Sequence, residues 1–395
     1  MANNSNKNKC NVPHLRFPEF SGEWEKNNLS KFSSKITKKN KGNVIQNVLC
    51  NSANLGIIPQ NDYFDRDIAN ADNTDSYYII EQGDFVYNPR KSTAAPYGPV
   101  NIYNGEKPGI ISPLYLCFSV LNISPSFLFY RFKSSVWHPY VYSHGDTGVR
   151  FDRVSIKDDV FFDMPIYTPT QNEQEKIATL LSLIDERIAT QNKIIEDLKK
   201  LKSAIIEKLY SDIKGREYSY RQIFEIVNER NKQLEYLNIL SASQEKGMVN
   251  REDLNLDIQF ERSNINTYKI VKEGDYVIHL RSFQGGFAFS DKHGVCSPAY
   301  TILRPNDLLE FRYLSYYFTS QRFIKSLIVV TYGIRDGRSI NVEEWLDMKT
   351  IIPSKERQHH IVETIRNIEN KIENEEKYAS CLSNQKQYLL HHLFI

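Results

Sequence analysis

The sequence predicts an α+β protein: two similar mixed α/β globules joined by two long helices that pair as an antiparallel coiled coil, with the pseudo-two-fold symmetry of an internal duplication. Two observations carry this. One is an ordered series of identities at a nearly constant offset, the signature of a repeated unit. At an offset of 191 residues Asn40 matches Asn231, Leu49 matches Leu240, Gly56 matches Gly247, Gly83-Asp84 matches Gly274-Asp275 and Arg90 matches Arg281. At 185, Ser112-Pro113-x-Tyr115 matches Ser297-Pro298-x-Tyr300, and at 184 Gln174 and Ile177 match Gln358 and Ile361. The other observation is a heptad seam, apolar at alternating steps of four and three, at the end of each copy.

At 395 residues the chain exceeds one compact core. The duplication divides it into globules over residues 1–168 and 214–352 and helices over 169–213 and 353–395. Hydrophobic residues at 41% and charged residues at 25% describe a folded chain rather than a disordered tail. A net charge of +2 neither demands nor excludes a nucleic-acid partner, although residues 1–46 hold nine Lys/Arg against three Glu. The 24 tyrosines suit either core packing or half-exposed recognition surfaces. Five scattered cysteines without a CxxC argue against a disulfide framework or a zinc site and fit a reducing cytoplasm. The opening MANNSNKNKC lacks an apolar signal core, and the apolar run from Ile110 to Ile123 is broken by Ser112, Pro113 and Ser119, so no membrane span is expected.

Within each globule, Tyr77–Tyr87 and Tyr268–Leu280 are β-branched and aromatic stretches bounded by turn residues, which read as strands. Pro125–Phe132 and Asp307–Ile324 read as helical. Pro169 and Pro353 mark the starts of the long helices. The first seam runs Ile177, Leu181, Ile184, Ile188, Gln191, Ile195, Leu198, Lys202, Ile205, Leu209. The second runs Ile361, Ile365, Ile368, Ile372, Glu375, Ala379, Leu382, Lys386, Leu389, Leu393. The polar breaks Gln191/Glu375 and Lys202/Lys386 fall at equivalent places, and polar seam residues fix register and partner at a cost in stability. Such a seam spans about 48 Å at 1.5 Å per residue; ordinary amphipathic helices lying on their own globules are the alternative.

No [DNS]PP[YFW] tetrapeptide, strand–GxG–helix, GxxxxGK[ST] or HExxH occurs, so no catalytic residue is expected. The pairs His359-His360 and His391-His392 do not suit a metal, since adjacent helical residues point about 100° apart. Two similar globules on a rod of this length could read successive turns of one DNA face, about 34 Å apart. The same geometry would suit a non-catalytic scaffold that grips protein partners.

The residues also carry a family resemblance. VPHLRFPEF-x-GEW, the stretches Gly83–Tyr115 and Gly274–Tyr300, and PTQNEQEKIATLLSLID with its weaker counterpart PSKERQHHIVETI resemble the specificity (S) subunit of type I restriction-modification systems over essentially the whole chain. That resemblance implies two target-recognition domains, two spacer helices and recognition of a bipartite, asymmetric double-stranded DNA target. It also implies assembly with methyltransferase (M) subunits, two of them expected, and restriction (R) subunits. The chain would carry no cofactor of its own, while its partners would use S-adenosylmethionine, ATP and Mg.

Base edges are read by Arg, Lys, Asn and Gln with help from Ser, and phosphates by Lys and Arg. The loops after the Gly-Asp turns supply Asn88, Arg90, Lys91 and Ser92 in the first copy and Arg281, Ser282 and Gln284 in the second. The loops Tyr142–Arg150 and Tyr332–Arg338 add Arg150, Arg335 and Arg338. Lys38 and Lys39, with Arg230 in the second copy, are candidate phosphate contacts. For the arginines the alternative is an internal salt bridge, and for the lysines a solvated basic face.

Overall fold

A computed structural model of the chain describes residues 11–63, 74–145, 152–243, 246–254, 262–279, 286–332 and 339–395. They fall into two compact units, Met1–Gln191 with Tyr378–Ile395, and Asn192–Lys377. Each unit combines one globule with a stretch of each long helix.

In the first unit β1 (Glu25–Asn28) pairs antiparallel with β10 (Pro165–Thr168), Glu25 opposite Thr168, and so closes the globule where the long helix begins. One four-stranded sheet takes β2 (Ser33–Lys35), β9 (Leu116–Val120), β6 (Phe85–Tyr87) and β7 (Val100–Ile102) in that order. A second takes β4 (Gly56–Pro59), β3 (Val48–Ser52), β8 (Gly109–Ile111) and β5 (Tyr78–Ile80), with β3 and β8 parallel. The helices are α1 (Gln60–Tyr63), α2 (Pro125–Lys133), α3 (His138–His144), α4 (Asp158–Phe162) and the long α5 (Gln171–Ser211). Ser124 caps α2 by accepting from Phe127 N, and Pro125 occupies its first turn where no N–H is needed. The core packs Phe85, Phe118, Phe127, Phe132, Trp137 and Phe161 together.

The second unit repeats this plan. β11 (Arg216–Ser219) pairs with β22 (Lys349–Ile352). The sheet of β12 (Phe224–Val227), β19 (Thr301–Pro305), β16 (Tyr276–Ile278) and β17 (Phe287–Phe289) has the strand order of its counterpart. β13 (Leu240–Ser243) pairs with β14 (Gly247–Asn250) and β15 (Lys269–Val271) with β18 (Gly294–Cys296). A single parallel bridge, Ile239 to Val295, stands where β3 meets β8 in the first unit. α6 (Tyr313–Tyr317), α7 (Gln321–Ser326), the short pair β20 (Thr331–Tyr332) and β21 (Ser339–Ile340), α8 (Val342–Asp347) and the long α9 (Lys355–His392) complete it.

The repeated residues prove to be those that bend and fasten the chain. Gly83 and Gly274 adopt φ of +92° and +93°, which glycine tolerates, and the following Asp84 and Asp275 accept from Glu81 N and Lys272 N across the turn. Asn40 and Asn231 are buried, each bonded by both ends of its amide to a single residue, Ile45 or Tyr236, five positions on. Many tyrosines, among them Tyr87, Tyr220, Tyr276 and Tyr313, are core residues.

Two local expectations need correction. Asp307–Ile324 is not one helical stretch. Arg312 at φ +69° interrupts the chain before α6, and Ser320 caps α7 separately by accepting from Phe323 N. Tyr142–Arg150 is not wholly a loop either: residues 142–144 are the last turn of α3, which buries Val141.

In the first unit α5 and α9 run antiparallel, with Arg187 beside Tyr378, Asp185 beside Lys386, and Ile177 and Leu181 in one core with Leu390 and Leu393. The second unit has the same sense, with Lys199 beside Glu376, Lys202 beside Glu369, and Ile206 in one core with Ile361 and Ile365. Every expected seam position is buried or half-buried. Ile177, Leu181, Ile361, Ile365 and Ile372 are fully buried, whereas Ile184, Ile188 and Ile368 are half-buried. After Lys202 full burial moves one place along, from Ile205 and Leu209 to Ile206 and Tyr210, because those turns pack into the second globule.

The polar seam residues are paired. Asp185 accepts from Tyr130 Oη at 3.0 Å and pairs with the seam Lys386. Glu369, its equivalent in the repeat, accepts from Tyr316 Oη at 2.8 Å and pairs with the seam Lys202 at 3.3 Å. At the start of each long helix a buried glutamine fastens it to its globule. Gln174 Oε1 accepts from Ser124 N at 2.9 Å while its Nε2 donates to Pro169 O. Gln358 Oε1 accepts from Glu310 N at 2.7 Å while its Nε2 donates to Leu308 O and Pro353 O. In the first unit Arg16 adds a bidentate pair with the buried Glu173, at 2.8 Å to each oxygen.

Truncating such a glutamine strands a backbone donor and acceptor, at about 1–3 kcal/mol per buried group left unpaired. Gln358→Ala is therefore expected to lower the urea midpoint of unfolding with little change in slope. A change under about 0.5 kcal/mol, the range of an ordinary surface substitution, would contradict the fastening role.

Candidate nucleic-acid interface

In the first unit the chain leaves β6 into residues 88–98, a loop fixed by its own hydrogen bonds. Asn88 Nδ2 donates to Asn51 O at 3.2 Å and its Oδ1 accepts from Arg90 N at 3.0 Å. Ser92 Oγ accepts from Ala95 N at 3.1 Å, and Lys91 N donates to Asp152 O at 2.8 Å. Gly98 closes the loop at φ +84°, where a Cβ would stand 2.1 Å from Asn88 O. Asn88 and Ser92 thus shape the loop with the groups that base reading would need. Arg90 is what the loop presents. Its side chain is 68% exposed, and its ion-pair partner among the described residues, Asp152, is also exposed and stands at 4.0 Å.

Beside Arg90 lies a residue that sequence reasoning missed. Arg153 is its antiparallel bridge partner, and Arg153 Nε is buried without a hydrogen-bond partner among the described residues. Like charges placed opposite one another repel, so the pair favours an anion. Tyr115, from the repeated Ser-Pro-x-Tyr turn, lies within the field of both arginines and of Tyr77. Burial raises its hydroxyl pKa, and the arginines oppose that rise. In the second unit Tyr300 has the same place, with Arg251 opposing the rise that burial causes, and its ring meets His279 edge-on at 5.1 Å between centroids. The recurrence of Ser-Pro-x-Tyr was the available signal for these tyrosines; nothing in the pattern singled out Arg153.

Lys38, Lys39 and Arg230 are exposed. Lys39 bridges to Tyr78 and Arg230 to Lys269, equivalent contacts in the two copies. Arg230 also donates to Thr267 O at 3.3 Å. Lys38 differs. Its Nζ stands 3.9 Å from Glu81, and the second copy holds the same pair with its signs exchanged, Glu229 to Lys272 at 3.3 Å. A cation at Lys38 is therefore not a shared feature of the two surfaces. Arg150, Arg281, Ser282, Gln284, Arg335 and Arg338 lie outside the described residues. Among the described residues no group of His, Cys, Asp and Glu could hold a metal ion. His359 instead faces Glu310 at 3.4 Å, and His392 meets the ring of His14 edge-on.

Two globules of one plan, each with a basic and aromatic surface and each fastened to a pair of antiparallel helical segments, describe a DNA specificity protein. Residues 216–380 match the family described as "Type I restriction modification DNA specificity domain". The chain is 26% identical over 315 residues to the type I restriction enzyme MjaVIII specificity subunit of Methanocaldococcus jannaschii, covering 72% of this chain and 70% of that one. Its fold resembles that of a chain from a study of complex assembly and conformational transition of the type I R-M system, with a TM-score of 0.61, 14% identity and coverage of 96% and 98%. It also resembles the HsdS subunit of Thermoanaerobacter tengcongensis, with a TM-score of 0.51, 15% identity and coverage of 97% and 98%. Residues 216–380 thus belong to that domain family, and the chain is similar to a type I specificity subunit over 72% of its length.

If Arg90 contacts DNA, Arg90→Ala is expected to weaken binding by about 1–3 kcal/mol, the worth of a bidentate contact, and Arg281→Ala to do the same for the other half of the target. Competition binding with oligonucleotides altered in one half at a time measures this. Equal loss for both halves from either variant would contradict one surface per half.

Proposed function

We propose that this subunit reads a bipartite, asymmetric double-stranded DNA target, one half-site per globule, and directs partner methyltransferase and restriction subunits to it. The observation that carries the reading is the duplication itself. The same turns, strands and tyrosines recur in both globules, while polar residues at matching positions differ: Lys38, Asn88 and Lys91 in the first copy stand where Glu229, His279 and Ser282 stand in the second. Identical frames with different readers suit an unequal pair of half-sites better than a grip on two like protein partners. Arg90, Lys91, Lys39 and Arg230 are the described candidates for DNA contact, with Arg281, Ser282, Gln284, Arg150, Arg335 and Arg338 proposed on sequence grounds. Asn88 and Ser92 support their loop, and the exposed Lys38, 3.9 Å from Glu81, is a further candidate.

The subunit itself is proposed to be non-catalytic and without a cofactor. S-adenosylmethionine, ATP and Mg would serve its partners, and two methyltransferase subunits would match the two copies of the unit. No helix among the described residues is long and apolar enough to cross a membrane, which is consistent with the proposed cytoplasmic site of action.

The helices are proposed to set the unread spacing between half-sites. Inserting one matched heptad in each helix adds about 10 Å at 1.5 Å per residue. That is expected to lengthen the spacing by about three base pairs, at 3.4 Å along each strand. Selection from a library of half-sites at varied separations reads this out, and an unaltered preferred separation would refute the ruler. Affinity for DNA is also expected to fall linearly in log–log coordinates as salt rises; sequence-selective binding absent at every salt concentration would favour the scaffold instead.

A further inference from the structure

Each unit encloses a cavity at the same place in the repeat, and the two differ in one chemical respect. In the first unit the space is about 660 Å³, between the β3–β4 hairpin, β7, α2 and the end of α9. Its cations are Lys133 and Lys386, set among Asn54, Asn101 and Asn104. In the second unit the space is about 260 Å³ and is lined by Lys202, Lys246, Arg312, Thr319 and Glu369. Lys386 and Lys202 are equivalent seam residues. Lys133 and Thr319 each follow by three positions the tyrosine that bonds the helix acid, Tyr130 or Tyr316.

The second cavity contains its own counter-ion. Glu369 reaches the lining, where it is bonded to Lys202 and Tyr316 and stands 3.9 Å from Arg312. In the first unit the equivalent acid is Asp185, one methylene shorter, and it does not line the cavity. Lys133 occupies the place of a threonine and adds a second ammonium. Its Nζ donates to Asn101 Oδ1 at 2.6 Å and lies 5.0 Å from the centre of the Phe129 ring, and it forms no ion pair among the described residues. Burial, with Lys386 nearby, holds this ammonium down at about 8. A half-buried cation that forms no ion pair, and feels Asp185 only at a distance, is costly, and a roomy, polar space beside it is suited to supplying a closer anion.

We propose that the cavity of the first unit binds an oxyanion, a carboxylate or phosphate group held by Lys133 with Lys386 and by the amides of Asn54 and Asn104. The volume lies in the range of small-ligand sites. Lys133 is half-buried, and Arg90, Lys91, Lys38 and Lys39, the candidates for DNA contact in this unit, are absent from the lining. The anion is therefore a free small molecule or the side-chain carboxylate of a protein partner. The second cavity carries the carboxylate of Glu369 in its own lining, so an entering anion meets a like charge there.

The test is thermal unfolding of the full chain titrated with inorganic phosphate and, separately, succinate, against chloride at matched ionic strength. A ligand bound only by the folded state raises the midpoint in a saturable way, unlike the general stabilisation that such salts give by exclusion from the surface. The expected result is a saturable shift whose apparent affinity falls at least about tenfold in Lys133→Met, the worth of one charge-assisted hydrogen bond. Lys246→Met, in the second cavity, should leave the shift unchanged. Should Lys133→Met fail to fold, Leu55→Trp decides. Leu55 is 61% exposed at the cavity and does not touch the ammonium's bond to Asn101, so an indole there blocks entry and abolishes the saturable shift. Repeating the titration with the methyltransferase subunit bound separates the two sources. Loss of the phosphate shift identifies a partner carboxylate as the occupant, and its persistence identifies a free anion. Coincident curves for the parent chain, Lys133→Met and Leu55→Trp would overturn the proposal, and because no DNA enters the assay that result would leave the reading of DNA targets standing.

Discussion

The arrangement rests on two carboxylates that each serve three elements at once. Asp185 takes a hydrogen bond from Tyr130 of its globule and the charge of Lys386 from the opposite helix; Glu369 does the same with Tyr316 and Lys202. Apolar seam residues attract one another in many registers, since burial is non-directional. A lysine at a seam position is tolerated in the one register that brings a carboxylate to it, and in others it is a half-buried charge without a partner. The tyrosine adds the globule to the same constraint. In each unit the helix pair and the reading domain are thereby locked in one step, with the first-turn glutamine fixing the other end of the contact.

That lock explains what the rest of each globule is free to do. The frame is held by buried groups: the Gly-Asp turns, the paired amides of Asn40 and Asn231, and aromatic cores built from Phe85, Phe118 and Phe161 or from Tyr276, Phe318 and Trp345. The surfaces around Tyr115 and Tyr300 carry none of that burden. They can reverse Lys38–Glu81 into Glu229–Lys272 at the small cost of surface charges. A protein that must read two different half-sites needs this separation between a constant frame and a variable face.

The frame was largely legible in the sequence, because its devices leave a mark that repeats. A turn at positive φ demands glycine, a helix fastened through a buried amide demands Gln174 and Gln358, and a coiled-coil seam demands its heptad. The partners of those devices were not legible. Lys202 and Lys386 were visible as breaks in the seam, but Asp185 and Glu369 lie off it and look like solvated helix charges. Asp307–Ile324 has a helical composition, and only the backbone shows that its helices begin after the left-handed Arg312 and again at the cap Ser320. For the candidate readers, sequence chemistry placed Asn88 and Arg90 together as base readers. The structure shows Asn88 occupied by Asn51 O and Arg90 N, leaving Arg90 exposed beside an Arg153 that lies 63 residues away in sequence. Hydrogen bonds inside a loop have no sequence period, so the pattern could not distinguish the residue that shapes the loop from the one it presents.

The central claim is that this chain chooses a DNA sequence for a methylating partner. It is tested most directly by mapping modified bases genome-wide in cells with and without the gene. The account predicts one gene-dependent motif made of two unequal specific halves around a fixed unread spacer. An unchanged set of modified sites, or a single undivided motif, would contradict it.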